Sequence, residues 1–206
     1  DTLVQIGSCT EYGHVKSPQV ENFNCKPSTI YAKAKFQATK FLINKNKTMH
    51  FPAVVLRFYQ IYGPYQDNNR FMSFIINSCL KDRKFPCSEG KQFRDFLYVD
   101  DLAEAILKVY ELPKKKYSSL TNGLSHINIG SGKQITIAEI ANKIKNIVNF
   151  KGKIFFDKSK PDGMKLKMLS NKIINKTGWR PKTKLVLGLK KTYDYYKSLL
   201  KNNYGI

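Results

Sequence analysis

The stretch Phe51-Pro52-Ala53-Val54-Val55-Leu56-Arg57-Phe58 is an almost unbroken apolar run. Such a run is typical of a strand that is covered on both faces, as the strands of parallel sheets are. Before it, residues 28–46 predict one long helix with Ser28 as its candidate N-cap, because no proline or glycine interrupts them. Residues 3–7 predict a short apolar strand. Strand, long helix and strand in this order indicate a right-handed crossover unit of a parallel sheet.

The ends of these two strands are the first place to look for a site. In parallel α/β sheets, ligands bind at the carboxyl ends of the strands. Ser8 directly follows the first strand, and the segment Tyr59-Gln60-Ile61-Tyr62-Gly63-Pro64 follows the second. We therefore expect both segments to border a ligand site.

The predicted helix carries a tyrosine and a lysine four residues apart. Tyr31 and Lys35 lie on one face of such a helix. An ammonium about 6 Å from a phenol, at an effective dielectric constant of about 20, favours the phenolate by about 2.8 kcal/mol. A tyrosine with this neighbour can exchange a proton with a substrate oxygen near neutral pH. An isolated Tyr-x-x-x-Lys equally fits an ordinary lysine-rich helix, so its meaning depends on the accompanying motifs.

Length and composition indicate a globular protein with one sizeable core. The chain has 206 residues, of which 42% are hydrophobic and 13% aromatic. No apolar run approaches a membrane span and no signal-peptide pattern is present, so we expect no membrane contact. Because the strand at residues 3–7 has almost nothing before it, we expect further chain upstream.

The cysteines favour a reducing compartment. None of the four, Cys9, Cys25, Cys79 and Cys87, has C-x-x-C spacing or a nearby histidine in a ligand-like pattern. This argues against a zinc site, and we predict no metal. A cytoplasmic protein with reduced thiols is the simpler interpretation.

The charge balance is strongly basic. The formal net charge is +21, almost all of it from lysine. Basic proteins often bind nucleic acid, anionic membranes or phosphorylated ligands. Here the lysines are dispersed, with local clumps at residues 114–116 and 165–167, which favours a solvated surface. A non-catalytic protein that binds RNA or another polyanion stays an alternative hypothesis.

The second half of the chain alternates short strands and helices less regularly. This pattern predicts a smaller α/β lobe attached to an α/β core. Pro113 to Ser125 are basic and serine-rich and predict an exposed loop, and Thr10 to Lys26 predict another. The remaining predicted elements are a helix over 71–80, a strand over 84–88, an extended piece over 96–99, a helix over 101–110 capped by Asp100, a strand over 126–129, a helix over 136–149 that opens with a capping box at Thr136 and Glu139, a strand over 154–156 and a helix over 187–201.

Six segments, in order along the chain, resemble the motifs of one family. They are Gly7-Ser8-Cys9-Thr10-Glu11-Tyr12-Gly13, Pro27 to Lys35 with the pattern Pro-x-x-x-Tyr-x-x-x-Lys, Leu56-Arg57-Phe58-Tyr59-Gln60-Ile61-Tyr62-Gly63-Pro64, Gly90 to Asp101 with Arg94-Asp95-Phe96 at its centre, Asn128-Ile129-Gly130-Ser131-Gly132, and Gly178-Trp179-Arg180-Pro181. Together they resemble the extended short-chain dehydrogenase/reductase family, the NAD(P)-dependent epimerases, dehydratases and reductases of nucleotide-sugars. One such motif is weak, whereas six in register are specific.

The resemblance implies roles for the residues at the strand ends. Tyr31 is implied as the acid/base at a sugar hydroxyl or ketone, and Lys35 as the residue that holds the nicotinamide ribose. Ser8 is implied to hydrogen-bond the same sugar oxygen. Phe58 and Tyr59, with Tyr31 and Lys35, are implied to contact the cofactor, which is NAD or NADP.

The resemblance also implies a nucleotide-diphosphate sugar as substrate. Arg94 is implied to pair with the diphosphate, although an internal ion pair between Arg94 and Asp95 is an alternative. The other implied substrate contacts are Gln60, Arg70, Phe71, Phe85, Cys87 and Lys160; of these, Phe85 and Cys87 equally fit the core, and Lys160 opens a Lys-Pro-Asp-Gly segment similar to one in enzymes that make GDP-fucose.

One departure from the family pattern narrows the range of expected reactions. Sugar 4,6-dehydratases carry an acid pair where this chain has Cys9 and Thr10, and Glu11 is one position away. Dehydratase activity is therefore less expected than epimerisation or reduction at C4.

A second departure is that the family's glycine-rich turn, which binds the cofactor, is absent from this sequence. The segment Gly130-Ser131-Gly132-Lys133 is no phosphate loop, because such a loop needs glycine where Ile127 stands and serine or threonine where Gln134 stands.

We therefore predict an α/β fold that comprises the C-terminal portion of a Rossmann-type doubly wound parallel sheet and a smaller α/β substrate-binding lobe. Residues 1–65 are expected to form the second half of the Rossmann-type domain. Residues 66–206 are expected to form mainly the substrate-binding lobe, with residues 91–130 returning in part to the sheet. The expected function is an NAD(P)-dependent nucleotide-sugar epimerase or 4-keto-6-deoxyhexose reductase acting at C4. An inactive fragment is a further alternative, and the resemblance implies a homodimer.

Overall fold

The computed structural model describes residues 2–83, 85–113, 116, 120, 126–157, 159–160 and 163–204. Its central feature is a parallel sheet of three strands in the order β1-β2-β7, formed by β1 (Leu3–Ile6), β2 (Ala53–Phe58) and β7 (His126–Ile129). Ile6 lies opposite Leu56, and Leu56 lies opposite Ile127. The predicted strand, helix and strand therefore form adjacent parallel strands joined by a helix.

Helices cover both faces of this sheet. Side chains of β2 alternate: Val54 and Leu56 pack with α3 (Val99–Tyr110), whereas Ala53 and Val55 pack with Leu42 of α1 (Ile30–Met49). Burial on both faces explains the unbroken apolar run of β2. This arrangement confirms the predicted α/β fold with a doubly wound parallel sheet.

The remaining elements form a second group of short sheets and helices. β3 (Gln60–Tyr62) pairs in parallel with β6 (Phe96–Tyr98), and β4 (Pro86–Ser88) pairs in parallel with β9 (Phe155–Asp157). β5 (Phe93–Arg94) lies between parallel β10 (Leu166–Lys167) and antiparallel β8 (Ile135–Thr136). The core of this group lies among α2 (Phe71–Leu80), α4 (Ile137–Val148) and α5 (Leu185–Tyr204), with Ile75, Ile76, Ile140, Ile144, Leu189 and Tyr196 buried in it.

Several element ends differ from the sequence-based expectations. The N-cap of α1 is Thr29, whose hydroxyl accepts the N–H of Ala32, so the prediction of Ser28 is wrong. α3 begins at Val99 with Tyr98 as its N-cap. Asp100 lies in its first turn, so the predicted cap at Asp100 is wrong.

The segment after β1 is also more structured than expected. A 3-10 helix spans Cys9–Tyr12, where the sequence predicts only a surface loop. Its residues Cys9, Glu11 and Tyr12 are buried, which explains why a polar segment is ordered here. By contrast, the capping box predicted at Thr136 and Glu139 is confirmed. Residue 84, the first residue of the strand predicted over 84–88, lies outside the described residues, as does most of the predicted loop over 113–125.

Candidate functional site

A cavity of about 560 Å³ opens where β1 and β2 end. Its walls come from the segment after β1, the first turn of α1, the segment after β2 and the start of α2. Seven residues predicted for the site line it, namely Ser8, Tyr31, Phe58, Tyr59, Gln60, Arg70 and Phe71. Carboxyl strand ends meet at one edge of a parallel sheet, which explains why segments far apart in the chain meet here.

Tyr31 lines this cavity, whereas Lys35 lies next to Tyr31 and is not itself among the lining residues. Tyr31 occupies the first turn of α1 and is 56% exposed. The Nζ atom of Lys35 lies 5.8 Å from the centre of the Tyr31 ring, as the four-residue spacing predicts. The same Nζ donates a hydrogen bond of 2.9 Å to the carbonyl of Ile6, at the end of β1. The ammonium is thereby held next to both the phenol and the end of the strand.

Ser8 lies two residues after β1 and caps the 3-10 helix that follows. Its hydroxyl lies 2.8 Å from the hydroxyl of Thr10 and accepts a hydrogen bond from the Thr10 N–H. Thr10 lines the same cavity. The cavity wall therefore presents two coupled hydroxyl groups together with the side chain of Tyr31.

The neighbouring thiol is unsuited to proton transfer. Burial raises the pKa of Cys9 to about 12, and the nearby ammonium of Lys167 opposes this only in part. At neutral pH Cys9 is a neutral thiol, and the position next to it holds the Thr10 hydroxyl. The two positions that follow Ser8 therefore hold no ionised carboxylate.

Glu11 is turned away from the cavity. Its side chain is fully buried, and its carboxylate accepts hydrogen bonds from Arg57 at 2.7 and 3.0 Å, from the Thr39 hydroxyl at 2.8 Å and from the Ser8 N–H at 2.8 Å. With these partners it is no acid or base for a substrate in the cavity.

A second cavity of about 300 Å³ adjoins the first. Gln60 and Phe71 line both, and the second is also lined by Cys87, Ser88, Gln92 and Arg94. Gln60 Oε1 is buried and has no hydrogen-bond partner among the described residues. An unpaired buried oxygen between two cavities is available to a ligand that donates a hydrogen bond.

Arg94 lines the second cavity, and hydrogen bonds to the backbone hold its guanidinium group in place. Its Nη1 atom donates hydrogen bonds to the carbonyls of Phe93 (2.7 Å) and Met164 (2.8 Å). Asp95 does not take the role of ion-pair partner that the alternative required. Its carboxylate accepts hydrogen bonds from Ser131 and Gly132 and so holds the turn at residues 130–132. Burial raises the pKa of Asp95.

Two predicted substrate contacts are placed differently from the others. Phe85 is 1% exposed in the core, where its ring contacts that of Phe74, and it is absent from the walls of both cavities. The structure therefore favours the core alternative for Phe85. Lys160 is exposed and borders neither cavity. Burial raises the pKa of Cys87, and the ammonium of Lys160 opposes this only in part. Residues 161 and 162, which follow Lys160 in its motif, lie outside the described residues.

The sequence analysis missed one cation of the main cavity. Lys167 lines it, on β10, and is paired in register with Arg94 on β5. A strand of two residues has no periodicity to detect. The one sequence feature at Lys167 is the lysine clump at residues 165–167, and such a clump indicates a solvated surface.

The described part of the chain holds neither a metal-binding cluster nor a membrane-spanning helix. No three histidine, cysteine, aspartate or glutamate side chains in it gather closely enough to hold a metal ion. None of its helices combines the length and the apolar character needed to cross a membrane.

Comparison with known proteins gives a consistent set of similarities. The family model "NAD dependent epimerase/dehydratase family" matches residues 1–130. "Probable GDP-L-fucose synthase 1" of Oryza sativa subsp. japonica is 34% identical over 176 residues, which cover 81% of this chain and 51% of the rice protein. "GDP-L-colitose synthase" of Yersinia pseudotuberculosis is 31% identical and is matched over 81% of this chain and 55% of its own. The chain thus spans about half the length of these curated relatives.

Solved structures share the fold over nearly the whole chain. UDP-glucuronic acid 4-epimerase from Bacillus cereus, in complex with NAD, is 25% identical with a TM-score of 0.85, covering 97% of this chain and 62% of that one. UDP-glucose 4-epimerase from Thermotoga maritima, with UDP-glucose, is 24% identical with a TM-score of 0.84, covering 96% and 63%. These similarities identify the sheet as Rossmann-type.

Proposed function

The chain belongs to the NAD dependent epimerase/dehydratase family, and we propose that it carries the catalytic and substrate-binding part of an NAD(P)-dependent enzyme acting at C4 of a nucleotide-diphosphate hexose. The reaction is epimerisation or reduction of a 4-keto-6-deoxy sugar. One observation carries the proposal: Ser8 and Tyr31 line the same cavity, and Lys35 contacts both the Tyr31 ring and the end of β1.

We propose the same division of the chain as the sequence indicates. Residues 1–65 belong to a Rossmann-type domain and residues 66–206 mainly to a substrate-binding lobe. Residues 91–130 return in part to the sheet, which is supported by the pairing of β7 with β2.

The donor set of the main cavity fits a nicotinamide nucleotide. The Tyr31 hydroxyl on the cavity wall and the Lys35 ammonium behind the Tyr31 ring are suited to ribose hydroxyl groups, and the apolar wall with Phe58 and Tyr59 is suited to a nicotinamide ring. NAD or NADP, when bound, exchanges a hydride with the sugar carbon that bears the reacting oxygen.

The proposed role of the protein side chains is proton transfer and charge stabilisation at one sugar oxygen. Tyr31 donates a proton to the C4 ketone in reduction, or removes one from the C4 hydroxyl in oxidation. Lys35 keeps a positive charge beside the Tyr31 ring. Ser8 donates a hydrogen bond to the same oxygen and shares the charge that develops there.

The proposed substrate site extends from the main cavity into the second one. Arg70, Arg94 and Lys167 supply positive charge along this path, which suits a diphosphate. Gln60 and Phe71, at the junction, are proposed to contact the sugar. Cys87, which lines the second cavity, is proposed to contact the nucleobase, and Lys160 is proposed to reach the phosphates. Because curated relatives carry the names GDP-L-fucose synthase and GDP-L-colitose synthase, we propose a GDP-sugar as the first substrate class to test.

Elimination of water, as in a 4,6-dehydratase, is disfavoured by the side chains after Ser8. That reaction needs an acid and a base next to the catalytic hydroxyl. Cys9 is a neutral thiol with a raised pKa, Thr10 is a hydroxyl and Glu11 is committed to buried partners. Epimerisation or reduction requires only Ser8, Tyr31, Lys35 and the nicotinamide.

A cytoplasmic location and a homodimer are also part of the proposal. The cysteines are free thiols, which suits a reducing compartment. The dimer contact is proposed to involve α1, whose exposed face carries Ile30, Phe41 and Met49. Sedimentation of the purified protein tests the oligomeric state.

The decisive experiment replaces Tyr31 by phenylalanine in the full-length protein. Tyr31→Phe removes the proton-transferring hydroxyl and keeps the ring, so we expect kcat to fall by about 10²–10⁴-fold while the dissociation constant for the nucleotide-sugar stays within about twofold. Tyr110→Phe is the matched control, because Tyr110 is exposed on α3 and absent from the walls of both cavities. Unchanged turnover in Tyr31→Phe excludes the role assigned to this residue.

A further inference from the structure

Glu11 occupies an unusual position for a carboxylate. It lies in a short 3-10 helix just after β1, yet its side chain is 0% exposed and the side chain of its partner Arg57 is only 1% exposed. The two carboxylate oxygens have different partners. Oε1 accepts the N–H of Ser8 at 2.8 Å, whereas Oε2 accepts the hydroxyl of Thr39 at 2.8 Å and two N–H groups of Arg57.

The partners of Glu11 belong to three separate elements. Ser8 is the N-cap of the 3-10 helix, Thr39 lies in the middle of α1 and Arg57 lies in β2. Thr39 follows Lys35 by four residues, so both lie on one face of α1, and Tyr31 lies one further turn towards the start of the helix. One carboxylate therefore connects the Ser8 segment directly to the helix that carries Tyr31 and Lys35.

This network is poorly explained by stability alone. Buried ion pairs lose so much solvation energy that apolar side chains of similar volume are often as stabilising. Here the cost is higher, because Nη1 of Arg57 is buried and has no hydrogen-bond partner among the described residues. A buried ion pair with little expected net gain in stability, which ends on the segment of a proposed catalytic hydroxyl, is better explained by positioning.

We propose that Glu11 is a positioning residue, whose carboxylate sets the Ser8 segment relative to Tyr31 and Lys35 by bridging the Ser8 N–H and the Thr39 hydroxyl. The catalytic consequence of this inference rests on the proposed function, whereas the coupling between Ser8 and α1 does not. Displacements of about 1 Å at reacting groups cost about 10²-fold in rate, so the bridge is expected to affect turnover more than binding.

The experiment removes the bridge from the α1 side. Glu11→Gln would leave the Arg57 charge buried without a counter-ion and is expected to destabilise the fold strongly. Thr39→Val keeps the shape of the side chain and the Arg57–Glu11 pair, and it removes only the hydroxyl that binds Glu11. Thr39→Ser restores that hydroxyl. Thr48→Val is the matched control on the same helix, because the Thr48 hydroxyl is exposed and binds the Asn44 carbonyl within the same helix.

Two measurements on the full-length protein separate the coupling from the catalysis. Amide hydrogen exchange at Ser8, followed by NMR, reports the coupling without any substrate. We expect exchange about tenfold faster in Thr39→Val and no change in Thr48→Val. With cofactor and GDP-sugar, we expect kcat of Thr39→Val to fall about tenfold with KM within about twofold, and Thr39→Ser to recover the wild-type kcat.

The outcomes are distinguishable from failure of the proposed function. Unchanged exchange at Ser8 in Thr39→Val overturns the coupling, whatever the activity is. A lowered kcat that Thr39→Ser does not recover overturns the role of the hydroxyl bridge. A wild-type protein that turns over no nucleotide-sugar, but whose Ser8 exchange responds to Thr39→Val, overturns the proposed function and supports the coupling.

Discussion

Arg94 and Arg180 are two arginines whose guanidinium groups are mounted in the same way. In each, Nη1 donates hydrogen bonds to two backbone carbonyls, those of Phe93 and Met164 for Arg94 and those of Asn175 and Trp179 for Arg180. Only Arg94 lines a cavity among those described at the site, and its in-register neighbour Lys167 lines the other. Comparing variants of Arg94 and Arg180 therefore gives a controlled test of anion binding.

We predict that Arg94→Lys raises KM for a nucleotide-sugar about tenfold and changes kcat by less than about threefold. A lysine keeps the charge but lacks the planar fork that matches phosphate oxygens. Steady-state kinetics of Arg94→Lys and of the control Arg180→Lys measure the effect. A KM that is equal in the two variants contradicts a diphosphate contact at Arg94.

At the scale of elements, α4 shows how a local signal and tertiary packing agree. Thr136 accepts the N–H of Glu139, and the Glu139 carboxylate accepts the N–H and the hydroxyl of Thr136. The same helix buries Ile140 and Ile144 against α2 and α5. The capping box therefore orders the start of a helix on which the second core depends.

We predict that Thr136→Ala lowers the free energy of unfolding by about 1 kcal/mol, because the first turn of α4 loses its side-chain cap. Urea denaturation followed by circular dichroism measures this as a lower midpoint. Thr48→Ala serves as comparison, since its exposed hydroxyl caps no helix start and its loss is expected to cost under about 0.5 kcal/mol. Equal midpoints for the two variants would show that the cap contributes nothing measurable.

At the scale of the whole molecule, buried charged and titratable side chains lie on the strands of the central sheet and next to them. His126 on β7 is buried, its Nε2 contacts the carbonyl of Glu21, and Arg57 on β2 lies near it. Burial and the Arg57 charge lower the pKa of His126 from 6.5 to about 4. Burial raises the pKa of the carboxyl groups of Glu21 and Asp95, which therefore act in the opposite direction.

We predict that His126 makes the fold less stable as the pH falls from about 6.5 towards 4. Below pH 6.5 the unfolded chain binds a proton at this histidine and the folded protein does not, so acid favours unfolding. Between pH 7 and pH 5 the loss is about 2 kcal/mol. His126→Gln should remove this part of the pH dependence, whereas His14→Gln, at an exposed position, should not. Parallel pH profiles of wild type and His126→Gln, measured by urea denaturation, would contradict the assignment.

The sequence by itself determined the order of β1, α1 and β2 and the side-by-side placement of Tyr31 and Lys35. It also determined the capping box of α4. These features depend on patterns within a few residues: an apolar run, a four-residue spacing on a helix, and a hydroxyl three residues before a carboxylate.

The tertiary structure alone decided whether particular charged and aromatic side chains lie in the core or in a cavity. Glu11 pairs with Arg57, 46 positions away, Phe85 enters the core, and Lys167 reaches the main cavity through the pairing of two-residue strands. Burial and ion pairing depend on which distant segments the fold brings together, and no local period carries that information. For this reason the acidic residue nearest to Ser8 in the sequence lies inside the protein and not in the site.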